Sequence, residues 1–273
     1  MRTYFQRHIA LPTEHGSWVF ILSPLLIGLF AARTINLATL FLIMAAFSAF
    51  LIRQPVTIAV KVNSGRRPRR DLPAAWFWIM VYALLGLLSL AGLIALGYGF
   101  VLFLAIPGLP VFAWHLYLVS RRAERRQAGV EIVASGVLAL AAPAAYWVGM
   151  GAPDPLGWWL FLLTWAQSAA SIVYAYLRLE QRNMLSIPTI HTRLRQGRRA
   201  LIYATFNVAS VTILSILEIL PPLLPLPYAL QWAETIYCTF RPAIGVKPTR
   251  IGIRALTLST LFTLLFIITW NIP

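Results

Sequence analysis

Only 11% of the 273 residues are charged, and only one is a cysteine. So little charge, beside 59% hydrophobic residues and a mean hydropathy of +0.74, excludes an ordinary soluble domain. The lone Cys238 excludes an internal disulfide and any multi-cysteine metal or iron–sulfur site, and it suits a small buried apolar position. No Gly-Lys-Ser or Gly-Lys-Thr loop is present, which leaves a cytoplasmic ATPase unsupported. The net charge of +15 is accompanied by no fingerprint of a nucleic-acid-binding module. The opening "MRTYFQRHIALPTEHG" has a basic start but lacks an apolar core followed by a small-residue cleavage site, so it reads as retained sequence rather than a signal peptide.

What the chain has is long apolar runs, each near the roughly 20 residues that cross about 30 Å of hydrocarbon. They fall at about 17–33, 35–58, 74–97, 99–119, 129–150, 157–178, 199–220, 222–240 and 251–271. This pattern predicts an all-α polytopic membrane protein of about nine spans, forming one integral membrane domain over 1–273. With the N-terminus inside, the loops holding Arg66 to Arg70, Arg121 to Arg126, Arg182 to Arg199 and Arg241 to Arg250 share one face, and only Arg33 falls on the other. An excess of Lys and Arg in short loops marks the cytoplasmic side. The expected setting is therefore the inner (cytoplasmic) membrane, N-terminus cytoplasmic and C-terminus external. The basic face suits anionic lipid headgroups as partners, with no nucleic acid. "VSRRAERRQ" and "RLRQGRR" read as solvated, lipid-facing loops. Trp18, Trp76, Trp78, Trp158, Trp159 and Trp270 lie near span ends, as an interfacial belt requires. "SPLLIG" and "IPGLP" should kink or break helices, and Leu220 to Pro227 reads as an outer turn.

Local sequence adds a resemblance. "LPTEHGSWVFILSPLLIGLFAA" resembles the opening helix of UbiA-type intramembrane prenyltransferases, "VKVNSGRRPRRDLPAAW" is similar to the segment leaving their second helix, and "SIVYAYLRLEQRN" to the end of their sixth. The "EHGSW" start and the missing acidic motifs look most like the YwiC-like membrane proteins. The resemblance implies a UbiA-like bundle around a cavity open to the cytoplasm. UbiA-type enzymes carry Asn-Asp-x-x-Asp-x-x-x-Asp at the end of the second helix and a second Asp-rich motif on the sixth, which hold the Mg²⁺ of an isoprenoid diphosphate. Laid on Lys61, Val62 and Asn63, that pattern puts Ile52, Pro55 and Ala59 at the aspartate positions. On the sixth helix the places fall near Ser171, Arg178 and Gln181 or Arg182, with Glu180 the remaining acid. A Mg-diphosphate site is not expected, and the cofactor, if there is one, is unknown.

Arg53, Gln54, Lys61 and Arg178, with Glu14 and His15, are the candidate ligand-binding residues. An arginine some ten residues before the loop is deep for an interfacial charge, and intramembrane ionisable groups usually face the bundle interior or water. Guanidinium forks would meet a phosphate or carboxylate directly. The alternative stays open that Arg53 pairs with Glu14 or Glu180 or snorkels to the headgroups, and that Gln54 is an interhelical hydrogen-bond partner. Glu14 beside His15 offers an acid/base pair, and His15 with His115 a metal or haem pair; Thr13 capping the helix is the plainer account. Tyr174 and Tyr176 read as packing residues. The function indicated is a divergent prenyltransferase-like protein binding an isoprenoid, quinone-like or other lipid ligand. The alternatives are a small-molecule transporter and a non-catalytic subunit or assembly factor of a membrane complex.

Overall fold

The computed structural model describes residues 4–12, 16–122 and 127–272. Among them the regular elements are helices only: α1 (Arg7–Ala10), α2 (Ser17–Ala32), α3 (Leu37–Asn63), α4 (Leu72–Ala95), α5 (Gly108–Ser120), α6 (Ala128–Ala139), α7 (Ala141–Met150), α8 (Pro155–Gln181), α9 (Ile190–Ile216), α10 (Pro225–Phe240) and α11 (Pro248–Asn271), with 3₁₀ turns at Arg69–Asp71 and Gly99–Ala105. Each predicted span coincides with helical chain. Among the described residues seven segments are long and apolar enough to cross a membrane. The count of nine requires α2 and α10 to cross too, and their 16 residues each reach only about 24 Å at 1.5 Å per residue.

Local chemistry sets the breaks. The Asn36 side chain accepts from the Thr39 amide at 2.9 Å, and the Thr39 hydroxyl accepts from the Asn36 amide at 3.1 Å, a capping box that starts α3. Pro24 and Pro55 are absorbed within α2 and α3. The "IPGLP" stretch does break its span, into the Gly99–Ala105 turn and α5. Pro143 has no N–H to give to the Ala139 carbonyl, and the predicted 129–150 span divides there into α6 and α7. The outer turn ends sooner than expected, because Pro225 and Pro227 lie in the first turn of α10, where a missing N–H costs nothing.

One expectation is corrected. "RLRQGRR" is not a loop: α9 starts at Ile190, nine residues before the apolar run, so these residues form its first turns. Thr189 caps this start by accepting from the Thr192 amide, and Arg193 gives Nε to the Pro188 carbonyl at 2.7 Å and Nη1 to the Phe240 carbonyl at 2.9 Å. Arginine and glutamine are good helix formers, so the charge that ends an apolar run does not end the helix.

The chain forms two compact units, the first running to Phe161 and the second from Leu162. In the first, α3 and α4 pack along their length, and Ile9 of α1 joins Ile58, Ala59, Val62, Ala74 and Ala75 in one apolar cluster. Helix α2 packs on α7 through small residues. A Cβ on Gly28 would run into the Ala142 carbonyl oxygen and stand 2.9 Å from the Ala145 Cβ. Such close backbone approach replaces the hydrophobic drive that helices in lipid lack. Gly28→Leu should therefore cost about 1–3 kcal/mol by overpacking. Gly129→Ala, with open space around it and a helical site, should be neutral or stabilising. Thermal unfolding in detergent checks both, and a Gly28→Leu protein as stable as the parent removes the close-packing account. In the second unit α10 packs against both α9 and α11, with the Tyr228 ring edge-on to Phe262 at 4.9 Å and its hydroxyl donating to the Leu163 carbonyl at 3.0 Å.

Candidate functional site

The last third of α3 carries three of the residues singled out above. Gln54 and Lys61 are seven apart and share a face, about 10 Å from each other along the axis; Arg53 stands one residue round. All three are partly exposed. The Arg53 guanidinium lies 5.5 Å from the Phe50 ring centroid, and Trp18 meets Phe50 edge-on at 5.1 Å, so an aromatic pair backs the cation. Gln54 Nε2 donates to the His8 carbonyl at 3.0 Å, which ties α1 to α3. The Lys61 carbonyl closes the helix, accepting from the Arg66 amide at 2.8 Å and the Ser64 hydroxyl at 3.2 Å, while Gly65 at φ 70° turns the chain. Beyond the turn, Arg66 Nη1 donates to the Val119 carbonyl at the end of α5, where the helix dipole favours a cation, and Arg67 pairs with Asp71 at 3.2 Å. The side chains of Ile52, Pro55 and Ala59 have no atom that ligates a metal. Among the described residues no three His, Cys, Asp or Glu side chains gather as a metal site. Glu14 and His15 lie outside the described residues; His115 is half-buried on α5.

Arg178 is in the second unit, 6% exposed. Its Nη1 donates to Gln181 Oε1 at 3.0 Å, the Arg241 carbonyl at 2.8 Å and the Cys238 carbonyl at 3.4 Å. Gln181 Nε2 reaches the same Cys238 carbonyl at 3.1 Å, and its Oε1 accepts from the Ala243 amide at 3.3 Å. The guanidinium thus answers backbone acceptors where α10 ends. Ser171, another position compared with the second acidic motif, accepts from Gln167 Nε2 at 3.0 Å and from Gln231 Nε2 at 2.9 Å. These residues form part of a polar seam between α8 and α10.

That seam also holds an ionic cluster the sequence reading misses. Glu234 Oε1 accepts from the Tyr174 hydroxyl at 2.8 Å and from Cys238 Sγ at 3.0 Å. Arg254 closes on both carboxylate oxygens, Nε on Oε1 and Nη2 on Oε2, the latter at 2.9 Å. Two opposite charges within predicted spans, 222–240 and 251–271, were the available signal. Tyr174, read as a packing residue, is a buried donor to that carboxylate.

Residues 11–146 match the family model described as YwiC-like protein. The chain is similar to "Uncharacterized protein YwiC" of Bacillus subtilis (strain 168), 27% identical over 162 residues that cover 56% of this chain and 59% of the relative. The match thus spans about three-fifths of that relative's length. It is also similar to a solved structure titled "Structural and mechanistic insights into the biosynthesis of Digeranylgeranylglyceryl phosphate synthase in membranes", with a TM-score of 0.57 and 14% identity, covering 98% of this chain and 97% of that one. At that identity the likeness establishes fold, a membrane bundle of the UbiA prenyltransferase type.

Proposed function

We propose, for a chain that belongs through residues 11–146 to the YwiC-like family and carries a UbiA-type fold, that it binds an amphipathic lipid of isoprenoid or quinone-like character without Mg-diphosphate chemistry. The lipid enters a cavity open to the cytoplasmic side, with the N-terminus cytoplasmic, and its polar head meets Arg53, Gln54 and Lys61. The observation that carries this reading is the exchange of charge on α3: a partly exposed cation, Arg53, stands among the Ile52, Pro55 and Ala59 positions compared above with metal-binding aspartates, and a second, Lys61, follows two residues beyond them. A guanidinium or ammonium meets an anionic head directly, where an aspartate needs a bridging metal. Arg178 serves the reading indirectly by holding α8 to α10. Glu14 and His15 are the remaining candidate contacts, to be tested by substitution.

The test is native mass spectrometry of the purified protein with lipid extraction, in the presence and absence of Mg²⁺. The parent should retain an isoprenoid or quinone-like lipid irrespective of Mg²⁺. Arg53→Ala with Lys61→Ala should lower its retention at least about tenfold, the worth of one hydrogen bond to a charged group. Unchanged retention in the double variant, or Mg²⁺-dependent retention, overturns the reading. A parent that retains no lipid moves the assignment to transport or to a subunit role.

A further inference from the structure

We propose that the groove between α10 and α11 in the second unit is a binding site for an anionic glycerophospholipid, headgroup at the 241–247 loop and acyl chain along the helices. It is independent of the α3 reading and shares no residue with it.

Two features place the headgroup. The Tyr237 ring, 43% exposed, carries the guanidinium of Arg241 at 5.4 Å from its centroid and that of Arg254 at 5.1 Å. Two cations on one ring repel each other, and the single carboxylate present, Glu234, is bonded to Arg254. Among the described residues no carboxylate pairs with Arg241, and Lys247 and Arg250 are exposed, Arg250 one helical turn before Arg254 on α11. The mouth of the groove is thus left positive by more than one charge, and a phosphodiester supplies the missing anion.

The body of the groove places the chain. Leu230 and Ala233 precede Tyr237 on one face of α10, and Leu258 and Leu261 follow Arg254 on α11, so polarity falls away from the loop along both walls. Soluble phosphate would use the mouth and leave this apolar length empty. A phospholipid uses both, and its headgroup lies at the height of the basic loops. This complementarity of charge and length commits the site to lipid.

The experiment is native mass spectrometry of the full chain in neutral detergent, titrated with phosphatidylglycerol or phosphatidylcholine of identical acyl chains. The parent should hold phosphatidylglycerol in preference. Arg241→Gln should lower phosphatidylglycerol retention about tenfold and leave phosphatidylcholine unchanged. Ala233→Trp, which fills the groove, should lower retention of both. Arg69→Gln makes the same change in net charge in the first unit and should leave retention as in the parent. Melting temperatures within a few degrees of the parent confirm that the variants fold; Arg250→Gln replaces Arg241→Gln if that protein does not. Equal retention of the two lipids by the parent overturns the proposal, as does an Arg69→Gln effect as large as that of Arg241→Gln. Displacement of phosphatidylglycerol by inorganic phosphate alone would overturn the role of the groove. A dimer abolished by Ala233→Trp would assign the face to a second copy instead. Failure here leaves the α3 reading standing, because that reading is measured on Arg53 and Lys61.

Discussion

Arg178→Leu should destabilise the protein by about 3 kcal/mol, more than any other single change at the residues compared with the acidic motifs. The last carbonyls of a helix have no intrahelical donor, and a cation near them gains from the helix dipole. Arg178 supplies both donor and charge where α10 ends, through its bonds to the carbonyls of Cys238 and Arg241. Leucine would fill the space but leave the Arg241 carbonyl without its guanidinium donor, and would take one of two donors from the Cys238 carbonyl and from the Gln181 oxygen. Lysine keeps the charge without the fork and should recover roughly half of the loss. Chemical unfolding in detergent, followed by helical circular dichroism, gives the result. If Arg178→Leu unfolds at the same denaturant concentration as the parent, the scaffold role is wrong. The same reasoning removes Arg178 from binding assays, since a loss of ligand there would report loss of fold.

The second large effect concerns Glu234 and Arg254. Glu234→Gln leaves Arg254 without its carboxylate, and Arg254→Gln leaves Glu234 with only a phenol and a thiol to offset its charge in a span. Breaking a buried pair from one side costs more than removing both sides, because the survivor is stranded. The Arg254 side chain is 42% exposed, so the cost is discounted for screening, to about 2 kcal/mol for each single substitution. The double variant should recover most of it, with a coupling of about 1–2 kcal/mol in a double-mutant cycle. Strict additivity of the two losses would show that the contact carries no coupling.

Hydropathy places α2 to α11, because the cost of an unpaired backbone in lipid forces apolar runs to be helices, whereas α1 lies outside every apolar run. It misplaces ends where the helix outlasts the apolar run. The start of α9 is helical through Thr189 capping and arginine propensity, neither of which has a hydropathic signature. The role of Arg178 was equally hidden: a basic residue near a span end looks the same whether it meets a ligand or the carbonyls of a helix sixty residues away in sequence. Arg53 and Gln54 were legible as exceptions to apolarity, whereas Gln54 bonding to His8 depends on how α1 folds back. Glu234 and Arg254 carried the same kind of signal, an ion within an apolar segment, and their pairing shows only once α10 and α11 are placed side by side.

The division at Phe161 also bears on how the protein is made. The apolar cluster of the first unit, Ile9 with Ile58, Ala59, Val62, Ala74 and Ala75, is built from residues that all leave the ribosome before the second unit is made. The remaining chain then follows over roughly ten seconds at ordinary elongation rates. Glu234 is synthesised ahead of Arg254, and for that interval its carboxylate has as partners Tyr174, already synthesised, and Cys238, which follows within a few residues. Chains that end between α10 and α11 should therefore carry Glu234 without its arginine and be cleared faster than the full chain, which a pulse-chase would measure.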